Sequence, residues 1–318
     1  MSPIGKLRQA GSIHDRLRYD TASGFSNPDC RATLMLLQKP SSRPDRLLRR
    51  EPIHVQPERP MKISCLVRPI RFCVLLLIGS LYVAGDAAAQ SACLTEMAPT
   101  GSRVLVFSRT ASFRHQSIPT GIEAIQKLGD QYGFAVENSE DSSIFEPAKL
   151  AEFGAIVFLS TTGDVLDPTQ QEALQAYIRG GGGYVGIHAA SDTEHDWPWY
   201  GQLVGAYFAR HPRPQSANVI VSDTTHISTR CVPAVWTRTD EWYDFKEPPA
   251  ADVKILASLD ESSYQGGGMG ESHPIAWYHE FEGGRAWYTG LGHTDESFAE
   301  PAFLDHLAGG ILWALKKP

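Results

Sequence analysis

Residues 181–199 read GGGYVGIHAASDTEHDWPW and contain a glycine turn, a short apolar run and a polar loop. The apolar run predicts a strand over Tyr184 to His188, directly after the glycines. The residues before the turn, Pro168 to Arg179, have the spacing of an amphipathic helix, and Asp167 stands at its N-cap position. A helix that turns at glycines into an apolar strand is typical of the βαβ units of a parallel sheet.

Similar units precede this stretch. Ser117 and Pro119 are typical of a helix start, and a helical pattern of apolar residues follows them. Short apolar runs predict strands over Arg103 to Ser108, Phe134 to Asn138 and Ala155 to Ser160, with a short helix over Pro147 to Phe153. The N-terminal half of the domain therefore alternates strands and helices, as doubly wound parallel sheets do.

After Gly205 the pattern changes to strands with little helix between them. The strand-like segments are Val219 to Val221, Val235 to Phe245, Val253 to Ser258, Pro274 to Phe281 and Arg285 to Thr289, and a final amphipathic helix is predicted over Pro301 to Lys317. We predict one α/β domain over residues 101–318. Its core is a flavodoxin-like, doubly wound, mostly parallel sheet, and its C-terminal part is a β-rich elaboration.

The first 89 residues are predicted to lie outside this domain. Residues 61–89 combine a basic start, the apolar core FCVLLLIGSLYVA and a small-residue end at Ala89, which is the pattern of a secretory signal peptide. The core is too short for an ordinary membrane span, and an uncleaved N-terminal anchor is the alternative. Residues 1–60 cannot bury a core and are interpreted as a nonstructured extension or as sequence upstream of the true start at Met61. We expect a periplasmic or secreted protein with no stable membrane span after cleavage.

Without this leader the protein is strongly acidic. Residues 90–318 contain 15 Lys and Arg against 29 Asp and Glu, a formal charge of −14, whereas the whole chain carries −7. Nucleic acids and anionic membranes bind basic surfaces, so neither is expected as a partner, and a neutral ligand is favoured. Two of the five cysteines, Cys93 and Cys231, remain, and they can pair in an oxidising compartment.

Polar segments follow three of the predicted parallel strands. They are RTASFRHQ at 109–116, TTGD at 161–164 and HAASD at 188–192. The carboxyl ends of parallel strands meet at one edge of the sheet, where ligands bind in open α/β folds. The three segments therefore predict a ligand-binding edge.

Residues 181–199 closely resemble the ThuA-like (trehalose utilisation) family, and other motifs extend the resemblance along the chain. These are FRH at 113–115 with SIP at 117–119, GAYF at 205–208 with HP at 211–212, DEWY at 240–243, HPIAW at 273–277 and GLGHT at 290–294. The resemblance implies a class I glutamine amidotransferase-like fold and a role in carbohydrate utilisation. In amidotransferases a nucleophilic Cys follows a strand, but His188 stands at the corresponding position here. Because Cys93 and Cys231 lie elsewhere, we do not expect a Cys-dependent glutamine amidotransferase.

Histidines at strand ends are the main candidates for chemistry. His188 ends an apolar strand, where a buried ring must be hydrogen-bonded or used, and the small residues around it are expected to leave space beside the ring. We predict acid–base roles for His188, His115, Glu241 and Asp192. Neutral imidazoles with a carboxylate suit zinc or another divalent ion, so His115, His188 and His293 are the candidate metal ligands. No close ligand motif such as H-E-x-x-H occurs, and the cofactor stays unidentified.

Large aromatic residues beside acidic ones are typical of sugar sites. Aromatic faces pack against the C–H faces of pyranose rings, while carboxylates bind hydroxyls. The predicted substrate-binding residues are Arg114, Trp197, Trp199, Trp242 and His293. Packing in the core is the alternative for the aromatic residues.

Two functions therefore compete. The first is an enzyme of carbohydrate utilisation, a hydrolase, lyase or isomerase acting on trehalose, a related disaccharide or a 3-keto sugar, with or without a divalent metal. The second is a noncatalytic carbohydrate-binding or assembly protein on a scaffold that lacks the nucleophilic Cys. Several titratable groups around one pocket would favour the enzyme, whereas an aromatic pocket with a single His would favour the binding protein.

The signal pattern predicts the mature N-terminus. Cleavage after Ala89 would give an exported protein that begins at or near Gln90. N-terminal sequencing of the protein from an extracytoplasmic fraction measures this directly. An intact Met1 or Met61 in that fraction would contradict the prediction.

Overall fold

The computed structural model describes residues 93–316, so the predicted extension over 1–60 and the signal over 61–89 lie outside the described residues. The first half alternates strands and helices: β1 (Arg103–Phe107), α1 (Ile118–Tyr132), β2 (Ala135–Ser139), α2 (Pro147–Leu150), β3 (Ala155–Leu159), α3 (Pro168–Arg179), β4 (Gly183–Ile187) and α4 (Pro198–Val204). The second half is mostly β: β5 (Phe208–Arg210), β6 (Gln215–Val221), β7 (Val235–Asp240), β8 (Asp244–Phe245), β9 (Lys254–Asp260), β10 (Pro274–Phe281), β11 (Gly284–Thr289) and the helix α5 (Pro301–Ala314). Within 93–316 no helix has both the length and the apolar character needed to cross a membrane.

Nine strands form one sheet in the order β2-β1-β3-β4-β11-β10-β9-β6-β7. The first five are parallel and follow the flavodoxin order, with the last strand of the chain, β11, in the fifth position beside β4. The remaining four strands continue the same sheet in antiparallel fashion. The predicted α/β fold with a mostly parallel core and a β-rich C-terminal elaboration is confirmed.

Of the two predicted N-cap residues, Asp167 caps its helix and Ser117 does not. The Asp167 side chain accepts from the Gln170 backbone N–H, and the Gln170 side chain accepts from the Asp167 N–H, so α3 begins with a complete capping box. Ser117 occupies the N-cap position of α1, but its hydroxyl donates to the carbonyl of Gly292 (3.2 Å) instead of capping the helix. This hydrogen bond ties the start of α1 to the loop after β11.

The glycines at the start of β4 allow close packing. A Cβ at Gly183 would lie 2.4 Å from the carbonyl oxygen of Ala314 in α5, and a Cβ at Gly182 would lie 2.3 Å from the ring of Tyr177. The ring of His188 is itself fully buried. The expectation that the small residues leave space around His188 is therefore wrong, because the rings of His115, Tyr243 and His293 pack around it with centroids 4.3–5.2 Å away.

The β-rich half curls back over the carboxyl edge of the parallel strands. In a flat sheet β7 and β11 would lie four strand spacings, about 19 Å, apart. Asp240 at the end of β7 nevertheless accepts hydrogen bonds from the N–H groups of Gly292 (2.9 Å) and His293 (3.0 Å) after β11. The single strand predicted over Val235 to Phe245 is divided into β7, which ends at Asp240, and β8, which pairs with β5. Register shifts between β9 and β10 are the irregularities that typically bend a sheet.

A disulfide joins Cys93 to Cys231, with the two Cα atoms 5.8 Å apart across a sequence separation of 138 residues. The neighbouring Arg230 and Glu96 form an ion pair. The bond therefore fastens the N-terminal end of the described chain to the loop between β6 and β7. The pairing that the sequence leaves open is formed in the structure.

Replacing both Cys93 and Cys231 by Ser should lower the free energy of unfolding by about 2–4 kcal/mol, since the unfolded chain regains the freedom that the cross-link removes. Urea denaturation at equilibrium measures the change. Wild-type protein treated with reductant is the matched control and should shift equally. A variant of wild-type stability would contradict the prediction.

Candidate functional site

Four side chains meet at the carboxyl edge of the sheet. Each follows a strand end: His115 lies after β1, His188 after β4, Glu241 after β7 and His293 after β11. Their potential ligand atoms all lie within 4.8 Å of one another. The parallel strands place the three histidines at one edge, and the curl of the β-rich half brings Glu241 to them.

His188 has an unusual backbone and a fixed ring. Its φ of 52° is uncommon for a residue with a side chain, and it begins a short 3-10 turn directly after β4. Nδ1 donates to the carbonyl of Gly290 (2.8 Å), so Nε2 is the atom that faces the cluster. It lies 3.2 Å from Nδ1 of His293 and 3.4 Å from a carboxylate oxygen of Glu241. The hydrogen bond to Gly290 therefore orients the ring so that Nε2 points at Glu241 and His293.

Glu241 is a nearly buried carboxylate surrounded by imidazoles. Its Oε2 lies 3.1 Å from Nδ1 of His293, and its Oε1 lies 3.0 Å from Nδ1 of His211. Burial alone would raise the pKa of Glu241, but the hydrogen bonds and charges of His188 and His293 outweigh burial and hold that pKa well below its ordinary value. The carboxylate is therefore ionised throughout the physiological range.

The pKa values of His115 and His293, the two other imidazoles near Glu241, shift in opposite directions. Burial, reinforced by His188 and His293, lowers the pKa of His115 to about 3, so this ring is neutral. Nδ1 of His115 is buried and has no hydrogen-bond partner within the described chain. Burial also opposes protonation of His293, but its hydrogen bond to Glu241 outweighs burial and raises its pKa.

Asp240 fixes the backbone of the segments that carry Glu241 and His293. Its carboxylate accepts from the N–H groups of Glu241 (3.0 Å), Gly292 and His293, and it pairs with Arg238 at 3.1 Å. No local sequence pattern predicted a role for Asp240 or His211. Both belong to motifs of the family resemblance, DEWY and HP, which is the signal that could have pointed to them.

Several predicted binding residues lie elsewhere. Trp242 is fully buried and its indole N–H donates to the carbonyl of Gln215 (2.9 Å), so neither ring face is open to a ligand. Trp199 donates to Glu282 in the turn before β11, at the opposite edge of the sheet, and Trp197 stacks on Trp199 with ring centroids 5.0 Å apart. These placements do not fit the predicted sugar platform, because the packing of α4 and the β-strands uses the indoles.

Asp192 and Arg114 lie near the site but outside the cluster. Asp192 pairs with His195 at 2.8 Å and does not belong to the group of four. Arg114 forms an ion pair with Glu140 at 2.6 Å on the loop that carries His115. The structure therefore leaves Arg114 at the rim, while the buried chemistry belongs to His115, His188, Glu241 and His293.

The donor set of the cluster fits a metal ion. His115 offers an unpartnered buried nitrogen, His188 offers Nε2, and Glu241 offers an ionised carboxylate. Three imidazoles and a carboxylate are the ligands of zinc and related divalent ions. A buried nitrogen without a partner is costly, and coordination would satisfy it.

A second group of potential metal ligands consists of Asp244, Glu261 and His273. The donor atoms of His273 and Glu261 already form hydrogen bonds within the protein. The ring of His273 contacts Glu261 (2.8 Å) through Nδ1 and the carbonyl of Tyr243 (2.8 Å) through Nε2. The same Glu261 oxygen accepts from the backbone N–H groups of Met269 and Gly270. This group is therefore a hydrogen-bonded support for the Tyr243 segment.

The fold and the site define an α/β protein with a flavodoxin-ordered sheet and a buried His/Glu cluster at its carboxyl edge. The family model described as ThuA, trehalose utilisation, matches residues 103–314, and the chain belongs to this family. No curated protein matches the sequence at a significant level.

Two solved structures share the fold. A ThuA-like protein from Bacteroides uniformis ATCC 8492 is 24% identical, with a TM-score of 0.58 over 69% of this chain and 94% of that chain. A ThuA-like protein from Parabacteroides merdae ATCC 43184 is 18% identical, with a TM-score of 0.56 over 68% of this chain and 90% of that chain. At these identities the likeness concerns the fold alone.

The coupling between Glu241 and His293 can be measured in metal-free protein. Glu241→Gln removes the charge that stabilises the imidazolium, so the pKa of His293 should fall from above 6.5 to below it. NMR titration of the histidine ring C–H signals gives this pKa. In the control Glu194→Gln, which changes a buried carboxyl bonded to the N–H groups of Val165 and Leu166, the His293 titration should not move. An unchanged pKa in Glu241→Gln would show that the pair is not coupled.

Proposed function

We propose that the chain is an exported enzyme of carbohydrate utilisation that acts on trehalose, a related disaccharide or a 3-keto form of one, with a divalent metal such as zinc. His115, His188, Glu241 and His293 would hold the ion. The observation that carries the proposal is the buried cluster itself, in which the Nδ1–Gly290 bond leaves Nε2 of His188 facing Glu241 and His293. The sugar class comes from the family, which is described by trehalose utilisation.

The electrostatics of the cluster support a cation. The pKa shifts favour a neutral His115 and an ionised Glu241, the forms that ligate a metal, whereas the raised pKa of His293 means that this ring must lose its proton on ligation. Hydrogen bonds also hold the candidate ligands in place, because Gly290 orients His188 and Asp240 fixes the backbone of Glu241 and His293. Such preorganisation reduces the cost of assembling a metal site.

When bound, a divalent ion would polarise a sugar oxygen or lower the pKa of a water molecule. The chain itself adds an exposed acid–base group beside the cluster. Nδ1 of His211 faces Glu241, and Nε2 makes no hydrogen bond to any described residue, so it can donate or accept a proton. Several titratable groups around one site favour an enzyme over a binding protein with a single His.

The cysteines support both the reaction class and the location. The two cysteines within residues 93–316, Cys93 and Cys231, are bonded to each other, so the described chain offers no thiol nucleophile. Disulfides form and persist mainly in oxidising compartments, which supports a periplasmic or secreted protein.

Metal analysis tests the proposal directly. After loading with zinc and dialysis, the wild-type protein should retain about one ion per chain, as expected for one closed set of ligands. Mutating residues that only hydrogen-bond to metal ligands typically lowers metal affinity by about 10–100-fold. Removing a ligand itself, in His188→Ala or His293→Ala, should therefore weaken zinc binding by at least about 100-fold. His195→Ala removes a partly exposed His outside the cluster and is the matched control.

Each arm of this test has a decisive outcome. Retention of zinc by folded His188→Ala and His293→Ala would overturn the proposed site. Turnover of trehalose, other disaccharides or their 3-keto forms by the zinc-loaded protein, abolished by chelation, supports the enzyme. Sugar binding without turnover and without a need for metal would favour the noncatalytic alternative instead.

A further inference from the structure

Phe113 is the only Phe, Tyr or Trp among residues 93–316 that is largely exposed to solvent. Its exposure is 63%, and it lies two residues before His115 on the loop after β1. Its ring contacts the ring of His115 edge-on, with centroids 4.9 Å apart and an interplanar angle of 82°. A large apolar ring thus remains open to solvent directly beside the buried cluster.

The loop that carries Phe113 is fixed to the next strand end. The hydroxyl of Thr162 donates to the Phe113 carbonyl (2.8 Å), and the N–H of Ala111 donates to the Thr162 carbonyl (2.7 Å). The loop also packs closely on Gly163, where a Cβ would lie 3.2 Å from that of Ala111. The backbone is therefore held while the ring is left exposed, which is the arrangement of a preorganised contact surface.

We infer that Phe113 is a stacking platform for one sugar ring of the substrate at the mouth of the His/Glu cluster. The inference rests on the proposed function and adds a binding residue that the sequence analysis did not consider. An aromatic face offers apolar contact to the C–H face of a neutral pyranose. Edge-on contact with His115, which in turn contacts His188 at 4.7 Å between ring centroids, places a stacked sugar beside the cluster.

The surroundings match a neutral, hydroxyl-rich ligand. Arg114, which directly follows Phe113 on this loop, forms with Glu140 an exposed charged pair that can exchange hydrogen bonds with hydroxyl groups. The formal charge of −14 over residues 90–318 disfavours an anionic ligand. Phe113 thus takes the role that the sequence assigned to Trp197, Trp199 and Trp242, whose rings are packed elsewhere.

The experiment compares sugar binding by three variants of the zinc-loaded protein, with trehalose, maltose and cellobiose as probes in calorimetry and saturation-transfer NMR. Phe113→Ala should raise the Kd of a bound sugar about tenfold, near the upper end of an aromatic contact. Phe113→Trp, which keeps a stacking face, should stay within about threefold of wild type. Met97→Ala is the matched control, because Met97 is 59% exposed and lies beside Gly133 at the end of α1.

Zinc content and sedimentation are measured on the same samples. Equal sugar affinity in Phe113→Ala and wild type overturns the platform while leaving the proposed function intact. A change in oligomeric state in place of a change in sugar affinity would identify the ring as a subunit contact and overturn it too. Failure of wild type to bind zinc, or to bind any of the three sugars or their 3-keto forms, rejects the proposed function first and the platform with it.

Discussion

The carboxylate of Asp240 connects two parts of the sheet that lie four strands apart in its order. It receives the backbone N–H groups of Glu241, Gly292 and His293, and Arg238 balances its charge. A carboxylate that accepts several N–H groups in a buried position fixes those groups closely. This one contact keeps the β-rich half curled over the parallel strands, so the placement of Glu241 against the histidines depends on it.

In the resulting cluster, the pKa values of the neighbouring Glu241 and His293 shift in opposite directions, and both shifts affect stability. The lowered pKa of Glu241 contributes stability above its ordinary value of 4.5, and this contribution is lost as pH falls through the folded value. The raised pKa of His293 contributes stability below 6.5, and this is lost as pH rises through the folded value. The metal-free pair is thus most stabilising between these two ordinary values, whereas metal binding favours deprotonated ligands and therefore higher pH.

The parts of the site that follow parallel strands were accessible to sequence reasoning. His115 and His188 lie after short apolar strands, and parallel strands deliver their carboxyl ends to a common edge whatever the details of packing. His293 follows the predicted strand Arg285 to Thr289 and lies in the motif GLGHT of the family resemblance. The indoles show the opposite case, because an aromatic residue beside an acidic one has the same local pattern whether it is buried, as Trp242 is, or open to ligand.

The sequence by itself determined the alternation of strands and helices, the capping of α3 at Asp167 and the edge of the sheet that bears the histidines. These features follow from hydrophobic periodicity and short-range hydrogen bonds, which nearby residues encode. Only the tertiary structure decided that Glu241 reaches His188, that His211 joins it, and that Phe113 stays exposed. Those outcomes depend on how the sheet bends and on contacts between segments that lie 52 to 105 residues apart in the sequence, and no local pattern specifies them.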